Sequence, residues 1–96
     1  MRVFTLATLT AFWTKYRDAE APLRDWLKAA KAAEWVTLAD VRHAYGSTDQ
    51  VGHCFVFNIG GNKYRLIVTL VPGRVFVKHV LTHAEYDRGA WKADCC

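Results

Sequence analysis

Two short turns, Gly60-Gly61-Asn62 and Pro72-Gly73, constrain this chain more than any other feature. Each separates runs rich in β-branched, aromatic and aliphatic residues. Cys54-Phe55-Val56-Phe57-Asn58-Ile59 precedes the first turn, Lys63 to Val71 lies between them, and Arg74 to Leu81 follows. Consecutive glycines with an asparagine suit a tight hairpin, because its central residues need positive φ. A Pro-Gly pair suits a type II turn. Two tight turns in succession leave one arrangement for three strands, an antiparallel meander.

The first half of the chain has a helical period instead. Val3 to Leu6 reads as a short strand, after which Thr8 is placed to cap a helix. Leu9, Phe12, Trp13 and Tyr16 form its apolar stripe, with Thr10, Thr14, Lys15 and Arg17 outward. Pro22 stands where the first turn of a second helix tolerates it. There Leu23, Trp26, Leu27 and Ala30 align, and Arg24, Asp25, Lys28 and Lys31 face away. Thr37-Leu38-Ala39-Asp40 starts a third, short helix as a capping box with Asp for Glu, and Val36 and Val41 are spaced as its hydrophobic staple. It is expected to stop at Gly46. The layout is β-α-α-(α)-β-β-β, an α+β fold: a twisted, antiparallel-rich sheet with helices on one face and the other face partly open. Residues 1–96 are expected to form one domain, with 88–96 an unassigned tail and a short turn or helix near Glu85.

Composition narrows the class. Hydrophobic residues make up 52%, including four tryptophans, so a packed core is expected and disorder is not. Thirteen basic against nine acidic residues leave a net charge of +4, which fits a nucleic acid or an acidic protein partner. No stretch approaches the ~20 apolar residues of a membrane span, and Met1 to Leu6 lacks the apolar core of a leader. Cysteines stand at 54, 95 and 96. An odd count without C-x-x-C spacing argues against a disulfide framework or a zinc site, which points to the cytoplasm. Neither H-x-x-x-H spacing nor a phosphate-binding glycine loop is present, so no metal or cofactor is expected.

Alternation along the middle strand sorts its residues. Tyr64, Leu66, Val68 and Leu70 belong under the helices, and Lys63, Arg65, Ile67, Thr69 and Val71 on the other face. Lys63 and Arg65 read either as a phosphate clamp or as a solvated strand end. Asn58, across the hairpin, either shares that face with Arg65 or bonds its own turn. Cys54 has no base beside it and reads as structural. Among the histidines, His43 is expected to be exposed and His53 is uninformative. His79 alternates with Val77 and Leu81 and reads as a satisfied sheet residue. His83 differs, because Thr82-His83-Ala84-Glu85-Tyr86-Asp87 puts a phenol and two carboxylates within four residues of an imidazole suited to proton transfer near neutral pH. The same segment reads equally as a Thr82–Glu85 capping box.

Asn58-Ile59-Gly60-Gly61-Asn62-Lys63-Tyr64-Arg65-Leu66 and Thr82-His83-Ala84-Glu85-Tyr86-Asp87, together with Phe12-Trp13, resemble the HigB branch of the RelE-like toxins from Val3 to about Asp87. The resemblance implies a RelE-like fold and the toxin of a toxin–antitoxin pair. Such toxins cut mRNA, usually in the ribosomal A site, without metal. They are neutralised by a helix-turn-helix antitoxin and meet operator DNA only through the antitoxin complex. It further implies Arg65 as the phosphate-binding arginine, with His83 and Tyr86 as acid, base or stacking groups. Lys63 and Asn58 become RNA-binding candidates, although Asn58 stands where other RelE-like toxins carry a basic residue. Two other readings fit the same fold: a ParE-like toxin acting on a topoisomerase, and a non-enzymatic RNA- or protein-binding module. His83 and Tyr86 argue against the first of these.

Overall fold

The computed structural model describes residues 1–95. Five strands form one mixed sheet: β1 (Arg2–Phe4), β2 (Asp49–Val51), β3 (Cys54–Ile59), β4 (Tyr64–Val71) and β5 (Arg74–Thr82), in the order β1-β5-β4-β3-β2. The meander β3-β4-β5 is antiparallel as expected, and β1 joins its edge parallel to β5. Gly60, Gly61 and Gly73 carry φ of 63°, 69° and 79°, the left-handed values that these turns require. Helices α1 (Leu6–Lys15), α2 (Glu20–Ala32) and α3 (Leu38–Ala44) precede the meander, and α4 (His83–Arg88) follows it.

α1, α2 and α3 bury their stripes on one face of the sheet. Leu9, Trp13, Leu23, Trp26, Ala30 and Val41 pack there against Phe57, Leu66, Val68, Val75 and Val77. The α+β fold class and RelE-like layout therefore hold. Local readings differ in three places. α1 begins at Leu6, following Thr5 at φ 70°, so the first strand ends at Phe4 and Thr8 lies inside the helix. The capping box at Thr37 and Asp40 forms, but Val36 is 58% exposed and does not staple to the buried Val41. β2 is an additional strand: three largely polar residues that pair with β3, too short and too polar for alternation to reveal.

The opposite face is less open than expected. Cys54, Val56 and Ile67 are covered by Trp91 and Cys95 from the terminal segment, with Val51, Leu81 and Tyr86 at the margin. A 3-10 turn over Ala90–Asp94 carries this cover, so the segment read as an unassigned polar tail is a structural element. Cys54 and Cys95 form a disulfide across 41 residues. The reading that an odd cysteine count argues against a disulfide is thus corrected, and the inference to the cytoplasm loses that support. Among the described residues, no helix is long and apolar enough to cross a membrane.

Candidate active site

Arg65 lies in β4 directly between Asn58 of β3 and Leu81 of β5, and such partners share a face. This row faces away from α1, α2 and α3. The Arg65 side chain is not a solvated strand end, since the residue is only 8% exposed. Nη1 donates to the Asn62 carbonyl at 3.0 Å and the Tyr64 carbonyl at 3.2 Å, and Nη2 donates to Asn62 Oδ1 at 2.8 Å. The guanidinium carbon lies 5.0 Å from the centroid of the Tyr86 ring. Three of the five N–H groups are spent inside the hairpin, leaving Nε–H and one Nη2–H uncommitted among the described residues. A guanidinium fixed on one side and available on the other suits a phosphate, because its planar fork is pre-organised for two oxygens.

α4 positions the second group. Thr82 and Glu85 form the capping box, which holds the Glu85 carboxyl below its ordinary 4.5, chiefly through its bonds from Thr82. The box does not compete with a chemical role for His83, which is the first residue inside the helix. His83, Tyr86 and Asp87 fall at i, i+3 and i+4 and so share one helix face. His83 Nδ1 lies 2.9 Å from Asp87 Oδ2, and both side chains are half-exposed. That contact is an ion pair whenever the imidazole is charged, and it leaves Nε2 for exchange with a ligand. Tyr86 turns inward, stacked at 5.1 Å and 13° on Trp91, whose indole N–H donates to the Tyr86 carbonyl at 3.0 Å. One phenol ring thus links the guanidinium of β4 to the helix that carries the imidazole. Asp87 is the residue that sequence reasoning did not single out, although its spacing from His83 was the available signal.

The remaining candidates separate. Asn58 is beside Arg65 but donates Nδ2 to Ser47 Oγ at 3.1 Å, anchoring the loop before β2. Lys63 is not brought together with Arg65. It lies in the turn before β4 begins, and its ammonium pairs with Asp18, which also accepts from the Tyr64 hydroxyl at 2.6 Å. This places it toward the helix layer and away from the face of Arg65. The Lys63 and Tyr64 hydrogen bonds hold the Asp18 carboxyl below its ordinary 3.8. His43 and His53 are exposed, and Cys54 is structural, through its disulfide. His79 is satisfied as read, with Nε2 2.6 Å from Asp94 Oδ2, but its face differs from that of Val77. The register jumps between Ile67 and Val68, so the extra residue Lys78 moves Val77 to the helix side and leaves His79 and Leu81 with Arg65. Among the described residues, no three His, Cys, Asp or Glu side chains cluster as metal ligands.

Residues 19–89 match the HigB_toxin family, described as the RelE-like toxic component of a toxin–antitoxin system. A relative from Escherichia coli O6:H1 (strain CFT073), mRNA interferase HigB, is 29% identical over 93 residues, spanning 92% of this chain and 90% of the relative.

Proposed function

We propose, since this chain belongs to the HigB family of RelE-like toxins, that it is an mRNA endoribonuclease of a toxin–antitoxin pair and that Arg65, His83 and Tyr86 form its active site. Its partner as a toxic component is an antitoxin. We further assign a helix-turn-helix antitoxin, mRNA on the ribosome as substrate, operator DNA only through the antitoxin complex, and the cytoplasm as the compartment where that substrate occurs.

The observation that carries the site is the joining of Arg65 to α4 through Tyr86, with two guanidinium N–H groups uncommitted. The substrate's 2′-OH gives its proton to water as its oxygen bonds the adjacent phosphorus, the P–O5′ bond breaks to leave a 2′,3′-cyclic phosphate, and negative charge builds on the non-bridging oxygens on the way. Arg65 stabilises that charge with its remaining N–H groups, which need no reorganisation as the charge develops. The 5′-oxygen leaves and takes up a proton. His83, as an imidazolium paired with Asp87, delivers it from Nε2, and Tyr86 stacks on or orients the nucleotide. The chain's own groups supply both charge stabilisation and proton transfer, so the scheme needs no metal. Asn58 borders this path through its place beside Arg65, whereas Lys63 is assigned to the fold through Asp18.

Asp87→Asn separates this arrangement from a simple helix cap. An amide lacks the charge that supports the imidazolium, so the single-turnover cleavage rate should fall by about tenfold or more while folding is kept. Unchanged cleavage by Asp87→Asn would remove the His83–Asp87 pair from the mechanism.

A further inference from the structure

On the face of Arg65, between β5, α4 and the terminal 3-10 turn, lies a cavity of about 250 Å³. Leu81 and Trp91 give it apolar walls, His79 and Arg88 supply polar groups, and Glu85 and Ala90 complete the lining. Leu81 is the cross-strand partner of Arg65, and Trp91 stacks on the tyrosine that meets the Arg65 guanidinium. The cavity therefore adjoins the proposed active site and is not needed by the reaction steps above.

Its lining is mixed in charge, with Arg88 as the cation beside the Glu85 carboxylate. The nearby carboxylates are engaged: Asp94 by His79 and Glu85 by Thr82. Arg88 and Lys92 make no side-chain hydrogen bond or ion pair among the described residues, although Lys92 lies 5.9 Å over the Trp91 ring. His79 uses Nε2 on Asp94, so Nδ1 is the ring nitrogen left for a ligand. The volume is below the roughly 300–1,000 Å³ of pockets that enclose a whole drug-sized ligand, which favours one ring system over a longer segment. An unstacked base against apolar side chains, read along its edge by a polar group, is how single-stranded RNA is recognised.

We propose that this cavity is a nucleotide subsite: it takes the base of the ribonucleotide next to the scissile phosphate, with His79 on the base edge and Arg88 on its phosphate. Asp94 is the positioning residue that fixes the His79 ring. The inference rests on the RNase reading and adds to it the element that selects which base is cut beside.

Nucleotide binding tests it without requiring cleavage. The isotope-labelled chain is titrated with AMP, GMP, CMP and UMP, with ribose 5-phosphate and inorganic phosphate as separate arms. Saturable amide and indole shifts at His79, Leu81, Arg88 and Trp91 are expected with at least one nucleoside monophosphate. His79→Ala and Arg88→Ala should each weaken that binding about fivefold, as loss of one polar contact does. No saturable shifts at about 10 mM nucleotide, tenfold above a millimolar Kd, would overturn the subsite. Equal shifts with phosphate alone would overturn its base-reading part. In parallel, cut sites are mapped for the parent and His79→Ala, and a changed distribution of flanking bases is expected. Nucleotide binding by a chain that cuts no transcript would remove the nuclease reading and leave the pocket. Cutting by both chains at the same flanking bases, without nucleotide binding, would remove the pocket and leave the nuclease.

Discussion

At the scale of the residue, Arg65 serves the fold and, on the proposed mechanism, the chemistry as well. Its guanidinium ties Asn62 and the Tyr64 carbonyl into the hairpin and meets the Tyr86 ring. Arg65→Ala should therefore cost about 2–4 kcal/mol of stability, by leaving the buried Tyr64 carbonyl without this partner and losing the Asn62 bonds and the cation–π contact. Urea unfolding monitored by circular dichroism measures this, and a stability within 0.5 kcal/mol of the parent, a surface-like value, would contradict it. On the proposed mechanism the folded fraction should also lose about 10²–10³ in cleavage rate. His83→Gln makes the complementary case. His83 is half-exposed and its pair with Asp87 is a surface contact, so stability should change by less than about 0.5 kcal/mol. The single-turnover rate should nevertheless fall by ~10²–10⁴. Parental cleavage by His83→Gln would reduce this residue to a helix-surface role. Arg65 and His83 were legible as candidates because their residue types and the meander exposed them. The partner of Lys63 was not, since Asp18 lies 45 residues upstream and only the folded chain brings the two together.

At the scale of the element, the terminal 3-10 turn holds the site's face in order. Trp91 supports Tyr86, Asp94 holds His79, and Cys95 joins Cys54 of β3. A disulfide closing a loop of this separation restricts the unfolded chain by about 3–4 kcal/mol in the chain-entropy account. Reduction, or Cys54→Ala with Cys95→Ala, should lower the Tm by roughly 10–20 °C for a chain of this size. Calorimetry with and without reductant measures it. Identical melting in both conditions would show that the bond adds nothing to stability. On the proposed cytoplasmic location, where such a bond is the exception, free-thiol counting on protein from rapidly quenched cells should find the reduced pair prominent. Strands β3, β4 and β5 were readable because glycine-bearing turns bound them. β2, the bulge at Lys78 and the disulfide were not, because each depends on which strand lies alongside. Alternation assumes an unbroken pleat, and one extra residue sends Val77 and His79 to opposite faces.

At the scale of the whole molecule, three carboxylates make stability pH-dependent. Asp18 is held down by Lys63 and Tyr64, Asp40 by the Thr37 and Val36 backbone N–H groups, and Glu85 by Thr82. Each is depressed in the folded state. The stabilisation they give is complete above their ordinary values of 3.8 for aspartate and 4.5 for glutamate, and it is lost as pH falls through the lowered ones. Unfolding free energies should therefore be level from about pH 6 to pH 5 and decline below about pH 4. Asp40→Asn should flatten part of that decline, because an amide still accepts the cap's hydrogen bonds but does not titrate. An unchanged acid slope in Asp40→Asn would show that this cap is not among its sources. The layered α+β arrangement was legible from two periodicities, one in each half of the chain. The cover over the second face was not, because Trp91 and Cys95 stand in a segment too short to show a period of its own.

The central claim is that Arg65 and α4 form an RNase site acting through the substrate's 2′-OH. Cells expressing the chain without its antitoxin, and separately its His83→Gln variant, are harvested after induction, and transcripts are mapped by primer extension with their end groups determined. The account predicts cuts within coding regions of the parental sample, with 5′-hydroxyl and 2′,3′-cyclic phosphate ends, that are lost in His83→Gln. Intact transcripts in cells arrested by the parental chain would contradict it.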